Sequence, residues 1–155
     1  MKKDGLLSAI ISIVVLTLII ILVVSFLANE RLWIGLALIL LGLISLIPPI
    51  IFKIPIRSLK ADIVFGVIDN GILVIFALLG AELFGIWGAI VGGAVGNAIT
   101  DGFAGIFEGY EAQRMRKLKI GDKRTALSTA TGKLAGCFFG AGFVLTFAWL
   151  VLNIG

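Results

Sequence analysis

Residues 85–111 read GIWGAIVGGAVGNAITDGFAGIFEGYE. The first half is uncharged and repeats glycine at Gly88, Gly92 and Gly96, whereas the second half carries Asn97, Asp101 and Glu108. A run this apolar is long enough to cross a bilayer, which takes about 20 helical residues. Within such a helix the three polar residues, spaced four and seven apart, fall on one face. A polar stripe at membrane depth is costly unless it faces other helices or water. The stretch therefore predicts one helix of a larger membrane bundle.

The rest of the chain agrees. Of its 155 residues, 60% are hydrophobic and 14% charged, with a mean hydropathy of +1.18. That balance leaves too little polar surface for a water-soluble domain. Residues 5–29 and 32–52 contain no ionisable side chain, and neither run alternates as a β-barrel strand would. The fold class expected is an all-α integral membrane protein, a single domain with a bundle of about five transmembrane helices. These are placed at about 5–28, 31–52, 62–82, 86–119 (with a cytoplasmic extension) and 123–152. Asn29 and Asp122 are the expected caps of the second and last helices, Pro48-Pro49 should disturb the end of the second, and AELFG (81–85) should turn the third into the fourth. The basic start followed by an apolar run is read as a retained first helix, not a signal peptide, because the run is too long.

Basic residues set the orientation. Lys2 and Lys3, then Lys53, Arg57 and Lys60, then six lysines and arginines within 114–124, fall at alternate helix ends, and only Arg31 falls among the others. Five spans with a cytoplasmic N-terminus place every basic cluster inside. Trp33, Trp87 and Trp149 then mark the outer interface. The expected location is a cytoplasmic (cell) membrane, multi-pass, with anionic lipid headgroups at 114–124. Basic residues directly after a membrane helix are a topology signal, so a nucleic-acid partner is not expected.

There is no histidine and one cysteine, Cys137. Histidine-based zinc sites, Ser-His-Asp triads and internal disulfides are excluded, and any metal chemistry must use oxygen ligands. At helical rise, Asp69 lies ~10 Å beyond Asp62, Asp101 ~10 Å before Glu108, and Lys133 ~12 Å beyond Thr125. Antiparallel packing would bring these groups to one level. The candidate cation ligands are Asp69, Asn70, Asn97, Asp101 and Glu108, with Lys133 as counter-ion. No cofactor is expected apart from a divalent cation as transported ion, and no enzymatic activity is expected. The glycine ridges Gly88/Gly92/Gly96 and Gly132/Gly136/Gly140 read as close-packing surfaces, within one chain or between two. The alternative is a non-transporting scaffold or accessory subunit, in which the buried charges form a structural ion-pair lock.

Two resemblances bear on this. DGFAG (101–105) has the Asp-Gly of CDP-alcohol phosphotransferases, but Gly105 follows Ala104 where that family has arginine, and no aspartate recurs before Asp122. GVIDNGILVIFALLGAELFG with GGAVGNAITDGFAGIFEGYEAQ, about residues 62–115, resembles the first two helices of the vacuolar iron transporter family. On that pattern Asp69 and Gly71 match the first acidic motif, and Glu108, Tyr110 and Gln113 the end of the second helix. The resemblance implies a dimeric iron or manganese carrier with its pathway along that helix pair. The chain departs from the family in having two helices before the pair, one after it, and Met115 in the cytoplasmic extension.

Overall fold

The computed structural model describes residues 3–27, 30–118 and 125–151. All regular structure among them is helical: α1 Lys3–Leu27, α2 Arg31–Ile44, α3 Ile47–Ile51, a 3-10 turn Ile56–Leu59, α4 Lys60–Leu118 and α5 Ala126–Leu150. Among the described residues, four stretches are long and apolar enough to cross a membrane: Gly5–Leu27, Trp33–Ile51, Ile56–Phe107 and Ala126–Leu150. The third, at 52 residues, is more than twice the length one crossing needs.

That length is resolved at one residue. Gly85 has φ 64° and ψ −146°, a backbone state open to glycine and strained for any residue with a Cβ. Around it α4 folds into two antiparallel arms, 60–84 and 86–118. Gly80 and Gly88 bring their backbones into direct contact, Gly92 abuts the Phe76 carbonyl and Gly96 the backbone of Leu73. The expected turn at 81–85 thus contracts to a single glycine, because close glycine backbones let the helices run almost to the apex.

α5 is the central element. One face, Gly132, Gly136 and Gly140, meets the first arm at Asp62, Ile63 and Val67 in turn, so the two run parallel. Another face meets α2, where Gly142 touches Gly35 and Phe139 touches Gly42, so those two run antiparallel. The glycine ridges therefore join helices of one chain. α1 rests on α5 and α2 through few side chains, with Ala9 and Leu16 buried and most of its other side chains exposed. An apolar, largely uncovered helix of this kind suits hydrocarbon surroundings and not water.

The second helix departs from its expected extent. α2 stops at Ile44, a turn occupies Ser45–Leu46, and Pro48 and Pro49 sit in the first turn of α3. Proline lacks the N–H for an i−4 bond and its ring clashes with that carbonyl, so the break falls before Pro48. Ser45 stays buried by donating its hydroxyl to the Leu41 carbonyl at 2.8 Å. Caps also move. Glu30 occupies the N-cap of α2 without a side-chain bond, Asn29 lying outside the described residues. Thr125 caps α5 through a reciprocal capping box with Ser128, and Asp122 lies outside the described residues. With these directions, Trp33, Trp87 and Trp149 gather at one end of the bundle, and Lys53, Arg57 and Lys60 at the other.

The packing predicts a contrast between glycines. A Cβ at Gly136 would collide with the Ile63 carbonyl, whereas one at Gly102 meets nothing within 4 Å. Gly136→Ala is expected to lower stability by about 2 kcal/mol or more through overpacking. Gly102→Ala should be neutral or stabilising by up to about 1 kcal/mol through helix propensity. Unfolding of both variants in detergent measures the difference.

Candidate functional site

The polar residues of α4 divide between two faces. On the second arm the buried stripe is Gly88, Gly96, Thr100 and Ala104, with Gly92 between them in contact with the first arm. Thr100 is the member of that stripe with a hydroxyl, and it donates to Oδ1 of Asp69 on the first arm. Both are buried, Asp69 at 8% exposure and Thr100 at 3%. The hydroxyl also lies 3.1 Å from the Gly96 carbonyl and 2.9 Å from that of Asn97. It has one proton, and the carboxylate is the stronger acceptor. The bond ties the two arms together about four helical turns from the Gly85 apex.

Asp101 follows Thr100 and so projects about 100° away from it around the helix. It is exposed on the outer surface of the arm and accepts a hydrogen bond from Nδ2 of Asn97 at 2.9 Å. The stripe expected to face other helices or water does not meet Asp69. Asp69 meets Thr100, and Asp101 turns outward with Asn97. The cause is the glycine ridge, which presses positions 88, 92, 96 and 100 against the first arm and leaves 97 and 101 beside the contact.

Lys133 is half-buried on α5 beside Gly66, with Nζ 5.2 Å from the centroid of the Phe65 ring. This is a cation–π arrangement. Cys137 lies one turn further along α5, its backbone against Gly66 as that of Lys133 is. Asn70 is half-buried beside Asp69. The side chain of Glu108 lies outside the described set, although its backbone is helical. Most of the 114–124 basic segment is likewise outside it, Lys117 being exposed.

Among the described residues, no group of three or more acidic, cysteine or histidine side chains could hold a metal ion. Asp69 is engaged by Thr100, while Asp101, which accepts from half-buried Asn97, presents its carboxylate on the exposed face, the donor type hard cations prefer. Thr100 is the residue the sequence reading passed over. Its signal was present: Thr100 continues the four-residue spacing of Gly88, Gly92 and Gly96, so the ridge that buries the glycines must bury it too.

If the Thr100–Asp69 bond holds the arms, Thr100→Val should cost about 1.5–3 kcal/mol, the range for a hydrogen bond to a charged group. Thr100→Ser keeps the donor and should retain most of that stability. Unfolding midpoints of the two variants in one detergent decide it.

No family model, no curated protein and no solved structure matches this chain.

Proposed function

We propose that this chain is a five-span membrane protein, with its N-terminus inside, that moves a cation of divalent type as a homo-oligomer, a dimer being favoured. The observation that carries the reading is the outward Asn97–Asp101 pair. It places a carboxylate six residues, ~9 Å, before the apolar stretch ends at Phe107. Facing lipid, such a group is costly; facing a second copy or a water-filled path, it is a hard-oxygen ligand. Glu108 would stand at the cytoplasmic mouth of that path. The likeness of residues 62–115 to the vacuolar iron transporter helix pair supports the same class of ion. Lys133 would act as counter-ion to the buried Asp69, with Asn70 beside them.

A second reading has its own support. The buried Asp69–Thr100 bond does what a structural lock does, joining two arms without exposing an ion site. In a non-transporting scaffold or accessory subunit, that lock would be the reason for Asp69. The two readings divide the aspartates, with Asp69 structural in both and Asp101 needed only for transport.

Flux of manganese and iron(II) into proteoliposomes separates them. Asp101→Asn should abolish flux at unchanged stability, and Asp69→Asn should lower stability as well. Unchanged flux of every tested divalent ion in Asp101→Asn would sink the transport reading. The topology has its own check, in a Cys137→Ala background. Cysteines placed at Phe84 and Lys117 should label from opposite sides of sealed vesicles, and same-side labelling would remove the fourth crossing.

A further inference from the structure

A groove of about 270 Å³ lies where the 3-10 turn enters α4, lined by Ile56, Arg57, Lys60, Ile63 and Val64. Its wall is almost entirely carbon, the two basic residues contributing their aliphatic stems. Arg57 and Lys60 are exposed, and among the described residues neither makes an ion pair or a side-chain hydrogen bond. Lys60, Ile63 and Val64 share one helical face at i, i+3 and i+4, so the cation stands one turn, ~5 Å, above the apolar floor. Pro55, in extended conformation with ψ 127°, precedes the 3-10 turn and sets Arg57 beside the start of α4. The groove lies at the end of the bundle opposite the three tryptophans.

We infer that this groove binds an anionic phospholipid, its phosphate held between Arg57 and Lys60 and one acyl chain lying along Ile63 and Val64. The pairing of parts identifies the ligand. Two cations at a rim select a negative headgroup, and a carbon-walled groove directly beneath them selects a molecule whose anion carries a hydrocarbon chain. Long basic side chains at helix ends place stems on apolar surface and heads at the interface in this way. A free phosphate would use the rim and leave the groove empty. A neutral lipid would use the groove and leave the cations unmatched. The site is separate from the basic segment 114–124 and does not rest on the transport reading.

The test uses the full chain in phosphatidylcholine nanodiscs titrated with phosphatidylglycerol, with bound lipid read by native mass spectrometry. The intact chain should retain phosphatidylglycerol over phosphatidylcholine. Arg57→Gln with Lys60→Gln should weaken that retention roughly tenfold or more, since each basic residue near the surface contributes about a factor of five. Lys53→Gln, a loss of one exposed charge at the same end of the bundle but outside the groove lining, should cost no more than the about fivefold of a single surface charge. Val64→Trp fills the groove with both charges kept and should also release the lipid. Inorganic phosphate added in excess should fail to displace it. Equal losses in the double variant and in Lys53→Gln would overturn the proposal, as would full retention in Val64→Trp or displacement by free phosphate. Circular dichroism and elution volume of each variant verify that the bundle is intact.

Discussion

The approach of helix backbones to one another, permitted by glycine, governs this molecule. In hydrocarbon, apolar side chains gain nothing by leaving lipid for protein, so helices associate through close packing and polar bonds. Here α5 supplies the close packing in two directions. Its ridge of Gly132, Gly136 and Gly140 holds the first arm of α4, and Gly142 holds α2 at Gly35. The second arm reaches the bundle through a further ridge, Gly88, Gly92 and Gly96, laid on Gly80, Phe76 and Leu73. The rest of the fold follows from these contacts, including which polar residues are enclosed.

The enclosure explains the electrostatic pattern. Once the second ridge is seated, position 100 must face inward and position 101 must face outward. A threonine at 100 then has a partner, the Asp69 carboxylate, and the bond is shielded from competition by water. The aspartate at 101 has Asn97 on its own helix and an open surface beyond. One acidic group is thereby assigned to cohesion of the hairpin and the other is left at the surface, where its chemistry depends on what covers it. Lys133 takes an intermediate place, half-buried against Phe65.

Much of this was legible in the residues. Apolar run length and the alternation of basic clusters place the helices, and Pro48-Pro49 marks where α2 is interrupted. The four-residue glycine spacing names the packing ridges. Three details departed from expectation. The break before Pro48 comes at Ser45–Leu46 because proline acts on the carbonyl four residues back. The cap of α5 passes to Thr125 because a reciprocal bond with Ser128 is available there. The inward residue of the 97–101 stretch is Thr100, since a stripe defined by polarity alone ignores which face the glycines press down.

The sequence by itself determined that the chain is helical and apolar, and which end of each helix is basic, because these depend on composition and local periodicity. Only the tertiary structure decided that the glycine ridges join helices of the same chain, that Gly85 reverses α4 within one residue, and that Asp69 and Asp101 look in different directions. The physical reason is angular. Adjacent helical residues point about 100° apart, so a rotation of one position, set by backbone contact with a distant helix, separates a buried hydrogen bond from an exposed carboxylate. No local pattern in the 97–101 stretch carries that rotation, because it is fixed by Phe76, Leu73 and Gly80 on the opposing arm.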